Sequence, residues 1–195
     1  MEKKIKVLLW GDAITKTGFS RVLHSIFDRL SNRLEVIALG VNYRGDPNSC
    51  PFPVYPASLQ GDTYGLNRLQ EFVSFKPDII FMINDAWVLN PMIQKIKEVF
   101  KEALPEVICY IPVDASEHDP EWYKNFDIVT VPVAYTEWGK SVILKAAPEL
   151  EDRIQVISHG VDTNLFYPID KLEARKNLFG PDRAHKEDFI FLSAS

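Results

Sequence analysis

The densest run of titratable side chains in the sequence is Asp114-Ala115-Ser116-Glu117-His118-Asp119. A carboxylate and an imidazole four positions apart can orient a substrate hydroxyl and manage its proton. Asp114 is the stronger candidate for that role, with His118 beside it. The residues from Glu117 to Asp119 also read as the polar cap of a helix that begins at Pro120. A metal site fits poorly, because H-E-x-x-H is absent and His118 has no second histidine near it. Further polar groups stand at Gly11-Asp12, Asn84-Asp85 and Ser158-His159-Gly160. The stretch from Gly11 to Ser20 reads as a phosphate-binding turn: Gly18, Phe19 and Ser20 would present amides at a helix N-terminus capped by Thr17, and Lys16 and Arg21 would add charge. Its spacing is neither G-x-G-x-x-G nor G-x-x-x-x-G-K-[ST], so an ordinary strand-to-helix turn is the competing reading.

Other chemistries lack their residues. There is no G-x-S-x-G elbow, and no D-x-D occurs to hold a metal-bound nucleotide diphosphate. Trp87, Trp122 and Trp138 could line a sugar pocket, but they read first as core or helix-packing residues. Arg44 between Tyr43 and Tyr64 would suit an anionic or sugar-like acceptor. The chain of 195 residues carries 22 Lys+Arg against 27 Asp+Glu, so its formal charge is 22 − 27 = −5. That balance argues against a dedicated nucleic-acid binder, which would carry a basic stripe. With 46% hydrophobic and 25% charged residues, the composition is globular rather than disordered. Apolar runs stop at five or six residues, far short of a membrane span. No signal core follows Met1, and Cys50 and Cys109 read as reduced thiols, so a cytoplasmic location is expected.

These candidates need elements to hold them. Residues 5–10, 34–39, 79–83, 107–111, 128–131 and 154–157 are short apolar runs, with one more short strand at Val54-Tyr55. They are continuously apolar rather than alternating, as a sheet buried on both faces requires. Between them lie helix-period segments: Phe19 to Leu30 behind Thr17, Leu66 to Val73 behind Asp62 or Thr63, Ile93 to Ala103 behind Asn90-Pro91, and Trp138 to Leu144 behind Thr136. Strand and helix alternating in this way predict a doubly wound parallel α/β sheet with helices on both faces. In such a sheet, ligands bind beyond the carboxyl ends of the strands, where Gly11, Asp12, Asp85, Asp114, His159 and Gly160 would all fall. The proline-rich stretch 41–62 is long for a plain link and is expected to be functional. After a short helix over 170–179, residues 189–192 read as a fresh buried strand. They would open a second domain, or else complete the first sheet at its edge.

The segment Ile157-Ser158-His159-Gly160-Val161-Asp162-Thr163-Asn164-Leu165-Phe166-Tyr167-Pro168 resembles the I-x-[HN]-G-V-D-x-x-x-F-x-P segment that closes the N-terminal domain of group 1 (family 4) retaining glycosyltransferases of the GT-B fold. Val131 to Gly139 is similar to the helix start that precedes it in that family, with Asp127 in the aspartate place and Thr136 for the usual serine. Ile111-Pro112-Val113-Asp114 resembles a strand end at which a subgroup carries Pro-x-Asp. Thr17-Gly18 stands where the family has its glycine-rich turn for the donor phosphate, here with the glycine pair incomplete. The resemblance covers about residues 5 to 195.

It implies a Rossmann-like acceptor-side domain over 1–168, and over 169–195 an interdomain linker with the first strand of a truncated donor-binding domain. The implied reaction moves a sugar from a nucleotide-diphosphate sugar to a hydroxyl acceptor, without a metal. The nucleotide sugar is then a substrate held by the absent C-terminal domain, and no cofactor is expected. The acceptor would be a glycan, a lipid or a small molecule. Nucleic acid is not an expected partner, and a peripheral membrane contact stays open. Asp114 and His118 are the implied catalytic pair, with Gly11, Asp12, Thr17, Gly18, Arg21, Asp85, His159 and Gly160 binding substrate. The chain alone would transfer no sugar. The competing readings are a degenerate half that only binds a glycan, lipid or protein, then a sugar-nucleotide epimerase, and last a flavodoxin-like receiver.

Overall fold

The computed structural model describes residues 3–59, 61–101, 103–181 and 189–191. They fall into two units, Met1–His159 and Gly160–Ser195. The first holds a parallel sheet built from β1 (Ile5–Gly11), β2 (Leu34–Gly40), β3 (Val54–Pro56), β4 (Ile79–Ile83), β5 (Glu106–Ile111), β6 (Val131–Ala134) and β7 (Gln155–Val156). Their order is β3-β2-β1-β4-β5-β6-β7, and every neighbouring pair is parallel. The doubly wound α/β fold expected from the apolar runs is therefore what the chain forms.

From Val7 to Trp10, alternate residues of β1 feed two separate cores, which is why that part of the strand has no polar members. Leu8 and Trp10 join Ile80 and Met82 under α2 (Ala86–Phe100), with Leu89, Ile93 and Ile96. Val7 and Leu9 join Phe81 and Ile83 under α1 (Gly18–Leu30), with Leu23 and Phe27. The rings of Phe27 and Phe81 meet edge to face at 5.1 Å. Such side chains each contribute roughly 1.5–3 kcal/mol on burial, and they lock the register of the sheet.

Several boundaries differ from the sequence reading. Helix α2 starts at Ala86, well before Asn90-Pro91. Asn90 is occupied elsewhere: its Oδ1 accepts the Asn125 amide at 3.1 Å and its Nδ2 donates to the Glu121 carbonyl at 3.1 Å. The segment behind Asp62 is a 3-10 helix, Leu66–Phe75, and Asp62 rather than Thr63 holds it, accepting the amides of Gly65, Leu66 and Asn67. Gly65 is required there: its φ is +74°, and an added Cβ would lie 2.8 Å from the Cβ of Ala57. Strand β6 begins at Val131, because Phe126–Ile128 forms a tight turn that buries Phe126 and Val129 in the core. Burial makes that turn as apolar as a strand, so composition could not separate the two. Strand β7 is only two residues long.

The stretch 41–62 is packed rather than free. Tyr43, Phe52 and Ala57 are buried, and the Tyr43 hydroxyl donates to the Asp46 carbonyl at 2.5 Å. Tyr43 is thus a core residue, not an arm of an exposed aromatic pair about Arg44. Helix α3 (Glu137–Ala146) starts as expected, with Thr136 Oγ1 accepting the Gly139 amide at 2.9 Å. Asp127, in the place the resemblance gave it, forms an ion pair with Lys97. Cys50 and Cys109 are both free thiols.

In the second unit, the Asp162 carbonyl accepts the Phe166 amide at 2.8 Å and its Oδ1 accepts the Asn164 amide at 3.0 Å. This turn accounts for the D-x-x-x-F spacing. Helix α4 (Lys171–Phe179) follows, capped by Asp170 on the amides of Leu172 and Glu173. Residues 189–191 are not paired as a strand here, and Phe189 is 83% and Phe191 90% exposed. Leu192 lies outside the described residues. No described helix is long and apolar enough to cross a membrane.

Candidate functional site

A parallel sheet brings all its carboxyl ends to one rim. Here that rim receives Gly11-Asp12 after β1, Asn84-Asp85 after β4, Asp114 after β5, Tyr135 after β6 and His159 after β7. The order in which the chain adds strands turns round at β1, which has β2 on one side and β4 on the other, so the crevice between the β1 and β4 ends is the topological switch point.

Three of the expected residues interact around β4 and β5. Asp85 is half-buried, and its carboxyl is held above the usual carboxylate range, first by burial and then by the charge of Asp114, with His118 opposing. Asp114 itself is exposed. His118 is pushed below the usual imidazole range by burial, which Asp114 and Asp85 oppose. Its Nδ1 lies 2.6 Å from the Tyr123 hydroxyl. Tyr123 is buried, and burial raises its pKa, so it keeps its proton. Among the described residues Nδ1 is that hydroxyl's one hydrogen-bond partner, so the hydroxyl donates and Nδ1 accepts. The remaining proton of neutral His118 then sits on Nε2, which faces its surroundings as a donor. The ring is further steadied by Trp122, with centroids 5.1 Å apart. Asp119 accepts the Glu121 amide at 2.9 Å and is a helix cap.

The raised Asp85 carboxyl has a stability consequence. A group whose folded pKa exceeds its unfolded value (~3.9 for Asp) adds stability below that value and loses it as pH rises through the folded pKa. Asp85→Asn should therefore raise the Tm at neutral pH relative to the parent chain, with the gain shrinking toward pH 3. Thermal melts across that range check this; a gain independent of pH would contradict it.

The first turn is arranged differently from a phosphate cradle. Thr17 caps α1, with Oγ1 accepting the Ser20 amide at 3.2 Å, so Ser20 does not present a free amide as the phosphate reading required. The same hydroxyl donates to Asp12 Oδ2 at 2.9 Å. Asp12 is only 3% exposed. The turn thus already holds a carboxylate at the start of α1, where a phosphate would have come. Gly18 and Phe19 remain as the first two residues of the helix, whose amides have no intrahelical acceptor. An added Cβ on Gly18 would meet nothing within 4 Å. Gly11 is buried and its carbonyl accepts the Val41 amide. Arg21 is exposed on α1.

Two residues were missed by the sequence reading. Tyr110 and Tyr135 close β5 and β6 with rings 4.4 Å apart, and His159 packs on Tyr135 at 4.1 Å and on Tyr110 at 5.5 Å. The Tyr110 hydroxyl donates to the Ile157 carbonyl at 2.7 Å, and Ser158 Oγ to the Tyr135 carbonyl at 3.1 Å. His159 is therefore anchored as the last residue of the first unit, and Gly160 opens the second. A polar-tipped aromatic at each of two adjacent strand ends was the available signal. Trp87 and Trp138 correct their core reading: they are 52% and 50% exposed in the first turns of α2 and α3, on this same rim. Among the described residues, no group of His, Cys, Asp and Glu converges as a metal ion would need.

No family model matches the chain, and no curated protein matches it by sequence. Among solved structures, it is similar to a lipopolysaccharide outer core galactosyltransferase, WaaB, in its apo form, with a TM-score of 0.55 and 13% identity over 81% of this chain and 46% of that one. A nucleoside-diphosphate-sugar epimerase from Agrobacterium tumefaciens aligns over 91% of this chain and 58% of its own at 15% identity, with a TM-score of 0.37, too low to carry an argument. The chain spans about half the length of the solved structures it matches. The likeness shows the fold: a Rossmann-like α/β lobe similar to that of a GT-B glycosyltransferase.

Proposed function

We propose that the chain is the acceptor-side lobe of a retaining, metal-independent group 1 glycosyltransferase of the cytoplasm, which moves a sugar from a nucleotide-diphosphate donor to a hydroxyl acceptor. The observation that carries this reading is the gathering of Asp85, Asp114 and His118 at the carboxyl rim of a sheet whose fold resembles a galactosyltransferase lobe. In this reading, residues 1–168 form the acceptor domain, and residues 169–195 lead into a donor domain that binds the nucleotide sugar.

Sugar transfer requires the acceptor hydroxyl to be oriented against the donor while water is kept out. Asp114 accepts that hydroxyl, and His118 Nε2–H supplies a fixed donor beside it. Gly18 leaves room for a ligand close to the α1 backbone, and His159 with Gly160 stands where the chain passes from the first unit to the second. The leaving diphosphate would be stabilised by helix N-termini and basic side chains of the donor lobe. Asp12 at the first turn favours an acceptor hydroxyl over a phosphate there, because a carboxylate repels an anion and accepts from a hydroxyl.

The test is to assay this chain and a longer one containing the donor lobe for sugar release from nucleotide-diphosphate sugars. The longer chain should transfer and this one should not; absence of transfer by both would end the enzymatic reading. The same Asp12–Thr17 bond gives a second reading some weight. A lobe without a phosphate turn can act as a glycan-binding module, and it would then bind saccharide without any transfer.

A further inference from the structure

Buried side-chain polar groups almost always have their hydrogen-bond partners, so an exception calls for a reason. Asn84, the residue after β4, is only 8% exposed, and its carboxamide is used on one side only. Oδ1 accepts the amide of Asp85 at 2.9 Å. A backbone N–H can only donate, so the oxygen must stay on that side and the carboxamide cannot turn over. Nδ2 is thereby held away from that bond with two hydrogens to give, and it has no partner among the described residues. The side-chain atoms there that lack a partner and are also fully closed in are Asp12 Oδ1 and the Tyr135 hydroxyl. Asn84 Nδ2 lacks a partner without being closed in, so it is open to a ligand at the rim.

Asp85, next in the chain, departs from its ordinary role as well. It is the cap residue of α2, where an aspartate normally accepts an amide of the first helical turn, yet its side chain makes no such bond. Its half-buried carboxyl is left as an acceptor beside the free donor of Asn84. The two residues are consecutive and tied by the Asn84–Asp85 bond, so one fixed segment offers a donor and an acceptor together.

The charge around the segment selects the ligand. The pairing of β1 with β4 runs to Trp10 and Met82, so Asp12 and Asn84, each two residues on, flank the same crevice. Asp114 follows the neighbouring strand β5. With carboxyl groups of Asp12, Asp85 and Asp114 on this rim, a phosphate or carboxylate ligand is repelled. An ammonium would suit Asp85 but has no lone pair for the Asn84 donor. Two adjacent hydroxyls of a neutral molecule meet both needs, because a hydroxyl both gives and takes a proton.

We propose that Asn84 and Asp85 form a subsite for a vicinal diol of a neutral saccharide, in which one hydroxyl donates to the Asp85 carboxyl and its neighbour accepts from Asn84 Nδ2. The subsite deepens the acceptor-side reading and rests on it for the choice of a saccharide among polyols. Its readout is separate, because binding is measured without any sugar donor.

The experiment titrates the parent chain, Asn84→Asp and Asp85→Asn with methyl α-glucopyranoside, methyl α-galactopyranoside and inorganic phosphate, followed by NMR. Asn84→Asp keeps an oxygen for the Asp85 amide and removes the donor; Asp85→Asn removes the charged acceptor. The parent should bind at least one pyranoside saturably, with the Asn84 side-chain NH2 resonances moving as the site fills, and should not bind phosphate there. Each variant should weaken the pyranoside by about tenfold or more, as for loss of a hydrogen bond in a site that involves a charged group. The Asn84 resonances of the parent test the subsite even where a variant fails to fold: if they stay still while a pyranoside saturates elsewhere, the subsite is wrong. Unchanged affinity in either folded variant, saturable phosphate binding at these resonances, or no binding of either pyranoside would also overturn it. Transfer by the longer chain with unchanged affinity in the variants would remove the subsite and leave the enzymatic reading standing. Pyranoside binding that the variants lose, without transfer by the longer chain, would keep the subsite and remove the enzyme.

Discussion

Trp10→Ala should destabilise the protein by about 4 kcal/mol, in the range seen when a buried large aromatic is cut to alanine. Trp10 is completely buried in β1, between Leu39 of β2 and Met82 of β4. Its indole N–H donates to the Tyr64 carbonyl at 2.6 Å, so truncation opens a cavity and also leaves that carbonyl short of a donor. A domain holds roughly 5–15 kcal/mol in total, so this one change removes a large share. Denaturant unfolding measures it. Trp10→Phe separates the two parts: it keeps most of the ring and loses the hydrogen bond, so it should cost about 1–3 kcal/mol. A loss below ~1 kcal/mol for Trp10→Ala would mean that the indole is not closed in by both neighbouring strands.

Asp114→Ala should lower kcat/KM for sugar transfer by about 100-fold or more in the longer, donor-containing chain, the scale of a positioned group that manages a proton. The fold should be untouched. Asp114 is exposed and makes no hydrogen bond among the described residues, so its Tm should stay within about a degree of the parent's, as for an ordinary surface change. The variant also removes a negative charge that raises the Asp85 pKa. Asp85 should therefore titrate lower, and the pH profile of any remaining activity should move down with it. Full transferase activity in Asp114→Ala would strip that residue of the proposed role.

The parallel sheet was legible because its physics is local. A strand covered on both faces must be apolar at every position, as residues 7–10 and 79–83 are, and a run of such strands separated by helix periods admits few topologies. Caps that act within one turn were legible too: Thr17, Thr136 and Asp119 each bond an amide two or three residues on. The errors came where a local cue had a distant partner. Asn90-Pro91 looks like a helix start, but Asn90 is bonded to Glu121 and Asn125, more than thirty residues away. Ile128-Val129 looks like a strand, but Val129 is buried in a turn.

The candidate site divides along the same line. Asp85 and Asp114 could be placed at one rim from sequence, because strand direction in a doubly wound sheet puts every carboxyl end on the same side. The charge of Asp114 that Asp85 feels, the Tyr123 bond that sets the His118 tautomer, and the stack of Tyr110, Tyr135 and His159 are relations between residues far apart in the chain. So is the unpaired hydroxyl of Tyr135. Hydropathy and spacing report what a residue needs from its immediate neighbours, whereas hydrogen-bond satisfaction and desolvation depend on which atoms the completed fold brings within a few ångströms. The pattern of residues therefore determined the sheet and the rim, and only the tertiary structure decided which polar groups on that rim are satisfied by the protein and which are left for something else.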